Sequence, residues 1–524
     1  MVRTAEAHGV EVAVIGLGPV GITLCNLLAD MGVSTVGIDA AADVYALPRA
    51  IGMDHEVMRV FQQIGLAGAL APHVGAYRRS EYRAADGGLL RLLDSPPEPW
   101  PLSWPPYLTF VQPELERCLR ARLADRPGVR LRAGVELTGI ETPETPVLTL
   151  RDTASGQTET LRPRFVVGCD GGNSFVRRSL GIGFEDLDFD EPWLVVDMIV
   201  DGPVDGLPET NVQYCDPARP HTHVIGPGGL RRWEFMMLPG EDPAGMNREE
   251  RIWDLLSPWL KPGQARLWRS ATYRFHALVA RDWRRGRVFL AGDACHMTPP
   301  FLAQGMVQGV KDAANLAWKL AAVLREGRAE PLLDSYQAER RPLVREVIAI
   351  TKGLGRIICE RDPDAAAARN ARMLAELAAG QGRVVRQNLF PPIADGLIAR
   401  LPDGTPAPGA GLPCPQPWVV TGTGGRQRLD DVAGHGFRLL LRAGGTLSPA
   451  AQAAARGLGI TVQAIARDRA EPALIAEEHG LLNGWLDGHG ADAVLVRPDH
   501  VVFGTSASDA GLRAMLDQLR AQLG

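Results

Sequence analysis

The chain has 524 residues, more than one ordinary domain holds, so two or three domains are expected. Its 45% hydrophobic and 22% charged content is that of a packed globular protein and excludes disordered and fibrous classes. A net charge of -5 leaves no basic footprint for nucleic acid or an anionic membrane, and the first apolar run, Val10 to Ile15, is too short for a signal peptide or a membrane span, so a cytoplasmic protein is expected.

The first element is a short β-branched run, Glu11-Val-Ala-Val-Ile15, typical of a buried strand. Gly16-Leu-Gly18-Pro19-Val20-Gly21 follows, then an apolar helix from Ile22 to Met31 stopped by Gly32, and a second strand, Ser34 to Asp39. This βαβ unit supplies what a pyrophosphate needs: a tight turn, a close backbone approach, close helix–strand packing and N–H donors at a helix N-terminus. Asp39, 18 residues beyond Gly21, is placed to accept ribose hydroxyls. The glycine turn by itself does not separate FAD from NAD.

A second helical signal begins at Gln112-Pro113. From about 185 to 280 the pattern changes to strand-period alternation with Gly/Pro turns, as in Trp193 to Asp197, Asn211 to Tyr214 and Arg231 to Met236. His221 and His223 fall on one strand face without a nearby third ligand, so no metal is expected. Arg287 to Ala291 returns to a buried strand, followed by a long helix with Val310, Ala314, Ala317 and Ala321 in phase, and by a helix over about 330–351. Dense Pro and Gly near 390–430 mark a boundary. Beyond it come strands Phe437–Leu441 and Ile460–Ile465, a hairpin over 493–503 and a closing helix with Leu512, Met515, Leu516, Leu519 and Leu523 in phase. The seven cysteines are scattered, with no CxxC pair, which argues against a disulfide framework, a zinc site or a dithiol centre.

Two further segments are buried strands with acidic ends. One is Phe165 to Cys169 running into Asp170-Gly171 and on to Arg177; the other is Leu290-Ala-Gly292-Asp293-Ala-Cys-His296-Met-Thr-Pro299-Pro300, running into Gln304-Gly305-Met306. With Arg49-Ala-Ile-Gly52 and Gln112-Pro-Glu-Leu-Glu116, these resemble the fingerprints of the single-component FAD-dependent aromatic hydroxylases. Trp193 to Asp197, Tyr214 to Pro220, Arg232 to Phe235 and Asp312 to Leu320 look like the 3-(3-hydroxyphenyl)propionate hydroxylases in particular. Ala303 and Gln308 depart from the family's Gly-Gln-Gly loop, which alters the pocket beside the flavin ring.

The resemblance implies an α/β, Rossmann-like FAD-binding fold (1–80, 105–184 and 285–390), an inserted sheet-rich substrate domain (81–104 with 185–284), a linker (391–430) and a thioredoxin-like domain (431–524). In that last domain Arg442-Ala-Gly-Gly stands where a redox-active member has CxxC, so it is read as a packing or homo-oligomerisation module. The implied cofactor contacts are Gly16, Gly18, Pro19, Val20, Gly21, Asp39, Arg49, Gln112, Asp170, Arg177, Gly292, Asp293, Pro300, Gly305 and Met306, with Asp293 on the ribityl chain. Pocket candidates are Tyr214, His223, Arg232, Glu234, Pro299 and Pro300, with Arg232 near the flavin or on a substrate carboxylate; no catalytic base is singled out. His296, beside the flavin loop, is read as a packing or locally bonded residue.

The implied reaction is hydroxylation of a phenolic ring, that of a small phenolic acid like 3-(3-hydroxyphenyl)propionate. O₂ adds at the C4a position of reduced flavin, and NADH or NADPH binds only transiently, since a single βαβ dinucleotide unit is present. A tailoring hydroxylase of a bulky aromatic such as a polyketide, a flavin oxidase and a non-catalytic FAD-binding protein remain as alternatives.

Overall fold

The structure is a computed structural model that describes residues 3–4, 10–77, 79–422, 424–469 and 475–524. Its central sheet has six strands in the order Arg284–Arg285, Val288–Leu290, Phe165–Gly168, Val12–Ile15, Thr35–Asp39, Val129–Ala133. All pairs are parallel except the Arg284–Arg285 edge. Val12–Ile15, Phe165–Gly168 and Val288–Leu290 are buried at every position. That explains their unbroken apolar runs, because a parallel sheet is covered on both faces.

The first helix spans Pro19–Asp30, starting three residues before the sequence pattern placed it. Pro19 opens it with a preset φ and no N–H to leave unpaired. Its N-cap, Gly18, offers no side chain, so the first-turn N–H groups stay free for a ligand. This helix packs beside Gln304–Arg325, whose Val310, Ala314, Ala317 and Ala321 are all buried.

A nine-stranded sheet faces the parallel one. Its order is His296–Met297, Ala265–Ala280, Phe184–Val200, Leu230–Met236, His221–Ile225, Asn211–Tyr214, Arg79–Arg83, Leu89–Asp94, Arg383–Val385. Both edge strands come from the segment that also builds the parallel sheet and its long helices, so the two sheets are stitched together through 285–390.

Near the C-terminus, Arg438–Arg442 pairs in parallel with Thr461–Ile465 across the helix Pro449–Gly457, and antiparallel with Ala493–Val496, which pairs with Val502–Ser506 before the helix Asp509–Leu523. This βαβ–ββα order is the thioredoxin topology. The unit is not tethered by a linker alone. Trp318 and Ala322 of the long helix share an apolar cluster with Leu439, Phe503 and Leu516. Arg59 also pairs with Asp430 at 2.6 Å in full burial. Among the described residues, no helix is long and apolar enough to cross a membrane.

Candidate active site

A cleft of about 880 Å³ runs along the carboxyl ends of the parallel strands and across to the nine-stranded sheet. The three glycines of the first turn have separate geometric duties. Gly16 has φ +95°, and a Cβ there would lie 2.4 Å from the Cys169 carbonyl oxygen. At Gly21 a Cβ would lie 1.9 Å from the Gly16 carbonyl oxygen, where helix meets strand. At Gly18 it would meet nothing within 4 Å, because that residue borders the open cleft. Asp39 accepts from the Leu17 N–H at 2.6 Å and the Ala41 N–H at 2.8 Å, which holds its carboxylate at the cleft wall.

The opposite loops are braced from behind. Asp170 accepts from the Ser174 hydroxyl at 2.5 Å and the Val176 N–H at 3.0 Å, and it borders the cleft. Arg177 does not reach the cleft. It donates to the carbonyls of Gly172 and Ala294 and lies over the Phe184 ring at 3.9 Å, tying the two acidic loops together. Gly292, at φ +63°, also sits behind the wall, and its N–H donates to buried Asp312. Asp312 further accepts from His296 Nε2 at 2.7 Å and Arg340 Nε at 2.8 Å. His296 is therefore a buried structural partner. Against the burial that opposes its charge, Arg340 and His296 hold the Asp312 carboxyl below the usual carboxylate range.

This frame turns Asp293 into the cleft. Its side chain is exposed there, yet the protein mass around it desolvates the carboxyl and raises its pKa, with His296 and Arg49 opposing. The helix Gln304–Arg325 begins at Ala303, which is left-handed at φ +51° and provides no side-chain cap. Gly305 and Met306 line the cleft at this uncapped end, where the helix dipole is positive. Gln308 does not line it; buried, it bonds Gln304 and Arg340 and stiffens the loop. Ala303 does line it, crowding Gly52, where a Cβ would lie 2.8 Å away.

On the other side, Gln112 accepts from the N–H groups of Arg49 and Ala50 at 3.0 and 2.6 Å, so it shapes the Arg49 loop as well as lining the cleft. Arg49 lies over Tyr45 at 4.8 Å. Arg232 is neither a solvated charge nor a free carboxylate receptor. It is buried, bonds both oxygens of Asp197 at 2.7 and 3.0 Å, and donates to the carbonyls of Arg49 and Pro48. Its donors are spent on clamping that loop to the sheet.

Cross-strand register puts two rows of side chains toward the cleft, all lining it except Asp197, which is buried beneath its arginine partners. One is Gln213–Thr222–Glu234–Val195 and the other Val224–Arg232–Asp197–Arg269. Burial raises the Glu234 carboxyl pKa, with Arg232 opposing. Pro300 lines the cleft, whereas Pro299 is buried behind it.

Tyr214 and His223 are corrections, because they point to the other side of the sheet. Tyr214 stacks on His221 at 4.3 Å and abuts Trp259, and His223 packs on Trp233 at 4.9 Å. Successive strand residues alternate faces, so their neighbours Gln213 and Thr222 take the cleft positions. Sequence reasoning also missed Tyr77, Arg269 and Arg386, all on the wall. Arg269 is buried, with Nε and Nη2 unpartnered and only a 3.5 Å approach to Asp197. No local motif marks these three; distant strands and turns bring them together.

An uncapped helix start beside a glycine turn, a carboxylate on the second strand and a second uncapped helix start form a cradle that fits a flavin dinucleotide. Residues 9–351 match the family model described as FAD binding domain, and residues 411–522 the HcaD C-terminal domain. The chain is 35% identical over 523 residues to a probable NADH-specific resorcinol 4-hydroxylase of Rhodococcus jostii (strain RHA1), covering 99% of this chain and 96% of that one. It is 35% identical over 520 residues to a 3-(3-hydroxy-phenyl)propionate/3-hydroxycinnamic acid hydroxylase of Mycobacterium sp. (strain KMS), covering 94% of this chain and 88% of that one. In fold it is similar to the solved flavin-dependent monooxygenase PieE in complex with FAD and substrate, with TM-score 0.83, 22% identity and coverage of 98% and 99%. The chain belongs to the FAD-binding family of aromatic hydroxylases and is an FAD-dependent monooxygenase reduced by a nicotinamide cofactor.

Proposed function

We propose that this enzyme hydroxylates a small phenol of the resorcinol or 3-hydroxyphenylpropionate class, with NADH as the reductant. The balance is phenol, O₂, NADH and H⁺ to hydroxylated phenol, NAD⁺ and water. The observation that carries the reading is 35% identity over 94–99% of this chain to relatives named for resorcinol and for 3-(3-hydroxy-phenyl)propionate hydroxylation. NADH follows from the Rhodococcus relative named NADH-specific.

Bound FAD supplies the redox and oxygen chemistry. The chain's own residues bind, orient and exclude water. In this reading Gly16, Gly18, Pro19 and Val20 surround the pyrophosphate, Asp39 holds the adenosine ribose, and Arg49 and Asp293 hold the central and ribityl parts. Gly305 and Met306, at the uncapped and positive start of the helix, would hold the part of the flavin ring that gains negative charge on reduction. Gly21, Asp170, Arg177, Gly292 and Gln112 act one step back, fixing those groups in place. The parallel sheet holds the cofactor, and the nine-stranded sheet selects the ring through Gln213, Thr222 and Glu234, with Phe275 and Phe301 as apolar wall. Holding the ring in place and keeping water out raises the productive encounter rate. We place the reaction in the cytoplasm, where NADH and dioxygen meet.

The test follows NADH oxidation with a phenol panel and identifies products by mass spectrometry. Close to one hydroxylated product per NADH is expected with a monocyclic phenol. Turnover with polycyclic aromatics alone overturns the substrate class, and H₂O₂ without product for every phenol overturns hydroxylation in favour of an oxidase.

A further inference from the structure

Arg232 and Arg269 share one buried counter-ion, Asp197, and the sharing is unequal. Register sets Asp197 between them, with Arg232 opposite on one neighbouring strand and Arg269 opposite on the other. Arg232 takes both carboxylate oxygens, at 2.7 and 3.0 Å, and also donates to the carbonyls of Arg49 and Pro48. Arg269 is left with one approach, from Nη1 at 3.5 Å. Its Nε and Nη2 meet no acceptor among the described residues, and its side chain is only 2% exposed.

Two guanidiniums against one carboxylate leave a positive charge over. The other ionisable groups beside Arg269 are Tyr45, Tyr273 and Glu234. Burial disfavours a charge on Glu234. It also lowers the Arg269 pKa, which Asp197 opposes and Arg232 pushes further down. For Arg232 the same carboxylate more than offsets burial. A buried cation short of acceptors is costly unless a ligand completes its partners.

The place of Arg269 indicates which ligand that is. Arg269 lines the cleft with Tyr45 and Tyr273, the latter ring 5.0 Å from its guanidinium. Both rings are partly exposed, at 46% and 37%, and Tyr45 stands on the irregular loop between the strands Thr35–Asp39 and Gly52–Asp54, so a side-chain rotation there opens the guanidinium to the cleft. The row Gln213–Thr222–Glu234–Val195, given to the ring above, lies two residues along the strands from the row that ends at Arg269, roughly 7 Å. A ring held at the first row therefore carries a short side chain toward the second. Arg386, beyond the far edge strand of the same sheet, already donates to the Leu302 carbonyl and the Tyr77 hydroxyl.

We propose that Arg269 is the carboxylate receptor of the cleft, so that the enzyme prefers phenolic acids such as 3-(3-hydroxyphenyl)propionate to neutral phenols such as resorcinol. The two free nitrogens, Nε and Nη2, are the adjacent pair that meets a carboxylate side-on, as the same atoms of Arg232 meet Asp197. Arg269 is a specificity-determining residue and takes no part in bond making. The inference rests on the phenolic reading above.

The test is binding to oxidised holoenzyme without NADH, read by perturbation of flavin absorbance, for 3-(3-hydroxyphenyl)propionate, its primary amide and resorcinol. The wild type should bind the acid at least about tenfold more tightly than the amide. Arg269→Met should abolish that preference through the acid alone, leaving the amide and resorcinol within about twofold of the wild type. Arg269→Lys, which keeps the charge without the fork, should hold an intermediate ratio. Flavin absorbance and thermal melting follow folding, and if Arg269→Met does not fold, Arg269→Lys decides. Amide bound as tightly as acid by the wild type, a preference that survives Arg269→Met, or an unchanged ratio in Arg269→Lys overturns the inference while leaving the phenolic reading intact. A variant that loses only NADH affinity also overturns it, placing Arg269 in the reductant's site. No binding of any of the three to the wild type overturns both.

Discussion

Gly18 and Gly21 lie three residues apart in one motif, and the space around them separates ligand contact from folding. A methyl at Gly18 enters the open cleft, where the proposed pyrophosphate approaches, whereas one at Gly21 collides with the Gly16 carbonyl at 1.9 Å. Gly18→Ala should therefore leave the apoprotein as stable as the wild type and weaken FAD binding by at least tenfold, about 1.4 kcal/mol. Gly21→Ala should cost roughly 1–3 kcal/mol of stability even without FAD, through overpacking at backbone that cannot yield. Denaturation of both apoproteins, with flavin fluorescence titration, checks the contrast; equal stability losses would refute it. The glycine turn and the place of Asp39 at the cleft wall were legible in the sequence because their geometry is local: a few consecutive residues make the turn. Arg386 and Tyr77 were not, since 309 residues separate the hydrogen-bonded pair. Arg232 was half legible. Its residue type suggested an anion partner, but that partner is Asp197 of the adjacent strand, fixed by register and not by spacing.

At the scale of the element, the nine-stranded sheet explains why alternation was read correctly, with Arg232 and Glu234 on the cleft face, yet the wrong face was chosen on two neighbouring strands. Both faces of the strands Asn211–Tyr214 and His221–Ile225 are covered: one by the cleft, the other by aromatic packing that includes Trp233 and Trp259. Polar and aromatic residues occur on each, so the pattern gives parity without direction. The consequence is measurable. His223 is fully buried with both ring nitrogens unpartnered, and burial, with Arg231 adding to it, lowers its pKa to about 3. Its folded pKa lies below the unfolded value of 6.5, so the stability linked to it is present above pH 6.5 and is lost as pH falls toward 3. That loss is on the order of 5 kcal/mol. His223→Leu should flatten this slope in urea midpoints measured against pH, and leave KM for the phenol unchanged. Gln213→Leu, one strand away on the cleft face, should instead raise KM about tenfold, equivalent to about 1.4 kcal/mol, with stability nearly unaltered. A reversed pattern would mean that the faces have been exchanged.

For the whole molecule the decisive residue is Glu339, where four parts of the chain meet without solvent. Its carboxylate accepts from Asn315 at 2.7 Å, from the Leu397 N–H at 2.8 Å and from Arg497 at 2.7 Å, and Lys319 stands at 2.9 Å. Asn315 and Lys319 belong to the helix Gln304–Arg325, Leu397 to the Pro/Gly-rich connection and Arg497 to the thioredoxin-like sheet's hairpin. The sequence marked that connection as a boundary because Pro and Gly are dense there, but it could not reveal that the flanking units are joined by buried charge. Although burial favours the neutral acid, Arg497 and Lys319 hold the Glu339 pKa near about 2, below its ordinary 4.5. A depressed carboxyl contributes stability that is present above pH 4.5 and lost as pH falls toward 2, here about 3 kcal/mol. Glu339→Gln keeps the shape, removes the charge, and leaves buried Lys319 without its ion-pair partner and Arg497 with Asp499 alone, at a cost of about 3 kcal/mol near neutral pH. Two measurements check this: the acid-side slope of the denaturant midpoint should flatten between pH 4.5 and 2, and limited proteolysis at pH 7 should cut within 391–430 faster than in the wild type. If the thioredoxin-like unit were only appended, the variant would keep both the wild-type slope and the wild-type cleavage rate. If it braces the helix Gln304–Arg325, the same variant should also release FAD faster, because Asn315 and Lys319 lie on the helix whose first turn, at Gly305 and Met306, borders the cleft in which FAD is proposed to bind.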